Sequence, residues 1–205
     1  TEVEATPEEV WEALSTEDVT WINGFADRMA AQCVERFDRM QAKLGDDPRR
    51  DSAILAIERR VNCECLPTRV RVRATPEVVA ALRARDVAAG RAFMQAQAKV
   101  CGAQGLRESA LPTCLASEQE RAFEEKQGRK PEGAEIDTLP AASAAMQATC
   151  DCYAERFGAL DDASLIQEAE ASDENFRQRV ADPAVPAFEG QAHAIMKDCR
   201  SRFSR

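Results

Sequence analysis

The side chains in this chain best able to do chemistry are its eight cysteines. Two Cys-acid-Cys triplets, Cys63-Glu64-Cys65 and Cys150-Asp151-Cys152, each stand between one lone cysteine upstream and one downstream. The first set is Cys33, Cys63, Cys65 and Cys101. The second is Cys114, Cys150, Cys152 and Cys199, so every cysteine is used, in the same order, twice. Three chemistries suit such sets. Zinc held by four thiolates wants a reducing compartment, and zinc ribbons usually space their ligands two residues apart rather than one. A redox-active Cys-x-Cys needs a stabilised thiolate, which acidic neighbours such as Glu64 and Asp151 oppose, and no βαβ pattern surrounds either triplet. Structural disulfides are the remaining reading and the expected one.

The spacing says how they should pair. On an α-helix, residues i and i+2 lie roughly 200° apart around the axis. Two thiols so placed diverge and cannot easily bond each other, but they can tie one helix to two different neighbours. The economical pairing is Cys33–Cys63 and Cys65–Cys101, then Cys114–Cys150 and Cys152–Cys199. Geometry suggests this connectivity, since four cysteines allow three pairings per set. Loops of roughly 30 to 47 residues stabilise by about 3.5–4 kcal/mol each on the chain-entropy argument.

The elements that must carry these cysteines read as helices. Alanine, arginine and glutamate dominate, while aromatics are only 5%, a composition that favours helix over sheet. Thr6-Pro7-Glu8-Glu9 is a capping box opening a short helix to about Leu14. A longer helix begins at Thr16, its apolar stripe running Ile22, Phe25, Met29, Cys33, Phe37, Met40, Leu44 toward a core, and Gly45 stops it. Asp51 caps the next, which Pro67 should end just after Cys63 and Cys65. Arg69-Val70-Arg71-Val72-Arg73 alternates and reads as an extended linker. Thr75-Pro76-Glu77 opens a helix through Val79, Leu82, Ala89, Phe93 and Val100 that Gly102 and Gly105 should end. Pro112 starts another, to about Gln127, before a polar loop from Gly128 to Thr138. Further helices are expected from Pro140 through Phe157, from Asp161 or Asp162 through Ile166, from Ser172 through Val180, and from Phe188 through Phe203.

The resulting expectation is an all-α, disulfide-tied helical bundle of two pseudo-repeated units, residues 1–107 and 108–205, which could also pack as one domain. Local echoes of the repeat are slight: Gln95-Ala96-Gln97-Ala98 precedes Cys101 much as Gln191-Ala192-His193-Ala194 precedes Cys199. A chain of 205 residues is long enough to bury a core without staples, so eight cysteines with no remainder point to an oxidising compartment, periplasmic or secreted. Thr1-Glu2-Val3-Glu4 has neither a basic start nor an apolar run, so no signal peptide is visible and it reads as the start of a mature or a trimmed form. No stretch approaches the ~18–20 apolar residues of a membrane span.

Other catalytic signatures are missing from the sequence. There is no Gly-x-Ser-x-Gly elbow, no phosphate-binding glycine loop and no His-Glu-x-x-His. The single histidine, His193, stands six residues before Cys199, about 240° around a helix, and shares no face with it. Acidic residues are plentiful, so a carboxylate pair stays open, although such residues usually form a solvated helix face. The net charge of −9 argues against general nucleic-acid binding. Charge is uneven: the first fifty residues are acidic, and Arg59 to Lys99 is basic. Arg69, Arg71 and Arg73 are the candidate partner-binding residues, three guanidinium groups about 7 Å apart along one side of an extended chain, suited to carboxylates. The alternative is that they pair with the chain's own acidic helices.

The expected function is therefore a non-catalytic exported protein that binds another protein, as an inhibitor or an immunity-type partner of a secreted toxin or enzyme. No cofactor, metal ligand or catalytic residue is assigned. An enzyme with a carboxylate site in a groove between the units, or a metal- or redox-handling protein using the Cys-x-Cys pairs, are the alternatives.

Overall fold

A computed structural model of the chain describes residues 11, 13–45, 53–132, 135–136 and 139–203. Among these every regular element is helical. The capping signals read at Thr6-Pro7 and at Asp51 lie outside the described residues.

Helix α1 (Thr16–Leu44) starts where the Ser15 hydroxyl accepts the Asp18 N–H at 3.1 Å, and it ends at Gly45, whose φ of 57° an L side chain would resist. Next comes a helical run in three parts: α2 (Ala53–Arg60), a single wide π-turn (Val61–Cys65) and α3 (Leu66–Arg73). In the π-turn the Leu66 N–H reaches back to the Val61 carbonyl. That widening is what lets Pro67 follow without ending the helix. The ring has no N–H to give and in a tight turn would press on the Cys63 carbonyl. The expectation that Pro67 ends the helix is therefore corrected, and with it the extended linker: Arg69 to Arg73 are helical. Val70 is fully buried and Leu66, Val70 and Ala74 share one face, a four-residue spacing that overrides the Arg-Val alternation.

Helix α4 (Pro76–Arg83) is capped by Thr75 and closes at Arg85, which sits at φ 57°. Asp86 then caps α5 (Val87–Gln127) through the Ala88 and Ala89 N–H groups, both at 3.0 Å. This break was not foreseen, and the breaks expected at Gly102, Gly105 and Pro112 do not occur. A glycine costs about 1 kcal/mol in a helix interior and a proline about 3, which tertiary fixation can overcome. Here disulfides at Cys101 and Cys114 hold the helix at two points. Helix α6 (Ala144–Gly158) starts at Ser143 rather than Pro140. Helix α7 (Asp162–Ala181), capped by Asp161, is one element where two were expected. Helix α8 (Gln191–Phe203) is the last described element.

The chain divides into two compact units, Thr1–Gly102 and Ala103–Arg205. In the first, Leu14, Ile22, Val70, Ala74 and Val79 form the buried cluster, flanked by Trp21, Phe25, Met29 and Phe93. In the second, Ala103, Ala110, Phe157 and Leu165 are the centre, flanked by Tyr153, Leu160 and Ile195. Both centres are short of large side chains. The cystines fill the gap: Cys33–Cys63 and Cys65–Cys101 tie the π-turn to α1 and α5, while Cys114–Cys150 and Cys152–Cys199 tie α6 to α5 and α8. The i, i+2 divergence thus gives the same connectivity in both units, although Cys63 and Cys65 sit on a π-turn and Cys150 and Cys152 on regular α-helix. Four disulfides suit an oxidising, extracellular-type compartment. Among the described residues no helix is long and apolar enough to cross a membrane.

Candidate functional site

The apolar stripe of α1 does not end up buried along its length. Only Ile22 and Ala26 are buried in this 29-residue helix, and the core of the first unit stops at Met29. Beyond it, Met29, Cys33, Phe37 and Met40 line one wall of a groove of about 510 Å³. The opposite wall is Glu58 of α2, Asn62 of the π-turn and Leu66 of α3. Met40 is 38% exposed, an apolar side chain presented to solvent at the groove's end.

Local chemistry sets the groove's shape. The Cys33–Cys63 bond clamps α1 to the π-turn at mid-groove. Asn62 is oriented by its side-chain amide, which donates to the Glu58 carbonyl at 2.8 Å. Beyond the groove, Arg59 holds the same two helices together, giving one Nη to Asp38 at 2.9 Å and the other to Gln41 at 3.4 Å. Two charges on the groove stay uncommitted: among the described residues neither the Arg36 guanidinium nor the Glu58 carboxylate has a side-chain partner. Met29 and Met40 give this wall unbranched thioethers, which are flexible and polarisable. Along α1 the groove's apolar lining falls at three- and four-residue spacing.

The sequence-predicted residues lie as follows. Arg69 donates Nε to the Gln97 side chain at 3.0 Å, and Gln97 is itself buried. Arg71 pairs with Asp27 of α1 at 2.5 Å, while its Nε is buried with no partner. On a helix the three arginines step about 200° apart, so they do not form one guanidinium row. At least Arg69 and Arg71 are turned to the chain's own α5 and α1. His193 is exposed on α8 and lines a cavity in the second unit. All eight sulfurs are in disulfides, leaving no thiolate for zinc or exchange. Among the described residues no cluster of three or more His, Cys, Asp or Glu is placed to hold a metal ion.

One residue that the sequence reading missed stands out in the second unit. Glu118 of α5 is 2% exposed. Its Oε1 accepts Arg200 Nε at 2.9 Å and Nη2 at 2.5 Å, and its Oε2 accepts Arg121 Nη2 at 2.8 Å and Nε at 3.3 Å. Burial alone pushes this carboxyl up, but the hydrogen bonds and charges of Arg121 and Arg200 outweigh it, and the group is held below the usual carboxylate range. With every oxygen occupied, Glu118 is a structural anchor of α8 against α5. Its signal in the sequence was its place one helical turn after Cys114, which puts it on the same inward face.

No protein-family model, curated protein or solved structure matches this chain.

Proposed function

We propose that this is a non-catalytic binding protein of the periplasm or the extracellular space that takes an amphipathic helix of another exported protein into the α1 groove. The observation that carries the reading is the stripe of α1 beyond Met29, apolar at helical spacing yet outside the unit's core. From Met29 to Met40 it runs about 16 Å at 1.5 Å per residue, three turns of a docked helix. A partner reading i, i+3 or i+4, and i+7 would meet that wall. The uncommitted Arg36 and Glu58 add a polarity: an acidic flank of the docked helix would lie along α1 and a basic flank along α2. Inhibitor or immunity-type use of such a groove fits a rigid, cross-linked scaffold, which loses little conformational entropy on binding.

The test uses fluorescent helical peptides of about 15 residues with that apolar spacing and those flanks. Controls have the same composition in scrambled order. Anisotropy with the oxidised full chain is expected to show binding of the patterned peptide, at least tenfold weaker binding of the scrambled one, and loss of the difference in Phe37→Asp. Equal binding of patterned and scrambled peptides, or an unaltered affinity in Phe37→Asp of unchanged melting temperature, overturns the proposal.

A further inference from the structure

The second unit contains a cavity of about 400 Å³ whose lining is unlike the α1 groove. Its floor is α5 and the stacked Tyr153–Phe157 pair of α6, ring centroids 5.3 Å apart. The third aromatic, Phe188, comes from the connection between α7 and α8. The wall is built rather than incidental. Asn175 of α7 pins the connection at two points, donating to the Pro186 carbonyl at 2.9 Å and accepting the Phe188 N–H at 3.0 Å. The Glu168 carboxylate caps α8 by accepting the Gln191 and Ala192 N–H groups at 3.0 and 2.9 Å. Gly190 makes room for it, since a Cβ there would lie 2.2 Å from Glu168 Oε1 and 2.4 Å from the Phe188 ring.

The charge of this cavity has one sign. Among the described residues Glu168 and Asp173 line it, and no lysine or arginine does. Asp173 has no side-chain partner among the described residues, and no described protein group takes the Tyr153 hydroxyl. Burial, with the Glu168 charge adding to it, pushes the Tyr153 hydroxyl up, so it stays protonated and available as a donor or acceptor. Aromatic faces beside carboxylates attract a cation and reject an anion: ring quadrupole and carboxylate act in the same direction.

We propose that this cavity binds a small organic cation, an ammonium group carried on an aromatic or short aliphatic body, with Tyr153, Phe157 and Phe188 around the body and Asp173 and Glu168 toward the charge. Apolar volume with a few convergent polar groups is the usual make-up of a small-molecule site. The proposal stands on the second unit alone and does not depend on the α1 groove.

The experiment titrates the oxidised full chain with phenethylammonium, with 2-phenylethanol as the uncharged counterpart and with 3-phenylpropanoate as the anionic one. Binding is followed by calorimetry and by the ring resonances of Tyr153, the chain's single tyrosine. The cation is expected to bind, the alcohol at least tenfold more weakly, and the carboxylate more weakly still. Asp173→Asn is expected to cost the cation about five- to tenfold and leave the alcohol unchanged. Asp173 is exposed and unpartnered, so this variant should fold normally, and Phe188→Ala supplies a second, uncharged variant that should weaken both ligands. Equal binding of the three ligands, binding of none, or a cation affinity indifferent to Asp173→Asn overturns the proposal.

Discussion

Replacing Glu118 by glutamine removes one charge and keeps the side chain's volume. In the native protein the carboxylate accepts two hydrogen bonds from Arg200 and two from Arg121. A glutamine amide has one acceptor oxygen, so its NH2 must face one of two guanidinium groups, donor against donor. Breaking a buried charge pair costs about 3–5 kcal/mol when the stranded partner stays buried. Here the partners do not: the Arg121 and Arg200 side chains are 42% and 40% exposed, so water can take up part of what they lose. A cost of about 2–3 kcal/mol is the corrected expectation. For a unit of about a hundred residues, that is about 8–24 °C in melting temperature. Far-UV circular dichroism on the oxidised protein measures it. Trp21, in the first unit, gives a fluorescence reference for that unit. The linkage sign follows from the carboxyl being held below its usual range. The stabilisation is complete above the unfolded carboxylate range and is lost as pH falls through the lower folded value, so wild type and Glu118→Gln should converge in acid. A substitution costing under about 1 kcal/mol, or a gap between the two proteins that persists at the lowest pH, would refute the reasoning.

Four other outcomes follow from the same geometry. Gly190→Ala should displace the Glu168 cap from α8, costing about 1 kcal/mol and weakening amide-exchange protection at Gln191 and Ala192; unchanged protection there would show that the carboxylate relocates without loss. Reduction of all four disulfides removes about 3.6–4 kcal/mol of loop-closure stabilisation per bond on the chain-entropy argument, for separations of 30, 36, 36 and 47 residues, so the helical circular dichroism signal should collapse at 25 °C. The denatured, unreduced chain should titrate close to zero free thiols. Arg69→Met strands the buried Gln97 side chain and should cost about 1–2 kcal/mol, whereas Arg71→Met removes a pair to the exposed Asp27 and should cost under about 1; equal effects would argue against the roles given to them.

The disulfide pattern was legible because it rests on a local fact, the divergence of positions i and i+2 on a helix. The stripe of α1 was legible too, but its fate was not: spacing shows that Met29, Phe37 and Met40 share a face, not that Phe37 and Met40 lie outside the core. Helix ends at Ser15, Thr75, Asp161 and Gly45 followed capping chemistry. The misplaced ends were at Pro67, Gly102, Gly105 and Pro112, where a local preference of ~1–3 kcal/mol competes with cross-links and packing distant in sequence. Arg69 to Arg73 failed for the opposite reason, because a two-residue alternation was trusted over the four-residue series Leu66, Val70, Ala74. For Glu118 only its spacing from Cys114 is legible and for the cavity nothing is, since their partners, Arg200 for the first and Phe188 with Glu168 for the second, come together only through tertiary contacts.

Cross-linking and surface chemistry are connected in this protein. A helical unit of about a hundred residues ordinarily spends its longest apolar stripe on its own core, because burial is the main favourable term in folding. Among the described residues the first unit has only Ile22, Val70 and Val79 as fully buried large aliphatic side chains, yet α1 leaves Phe37 and Met40 outside that core. Two disulfides with separations of 30 and 36 residues lower the entropy of the unfolded chain by an amount comparable to burying about three to five more large apolar side chains. The stripe beyond Met29 is thereby released from the task of folding and can face outward. The same holds in the second unit, where cystines close α6 against α5 and α8 and the aromatic side chains of Tyr153 and Phe188 line a void instead of filling it. If this is the logic of the scaffold, filling either space should stabilise the fold and weaken its binding. Ala169→Leu, on the cavity wall, should raise the melting temperature of the oxidised protein while reducing phenethylammonium affinity, and a fall in both would mean that the cavity is already closed to the added side chain.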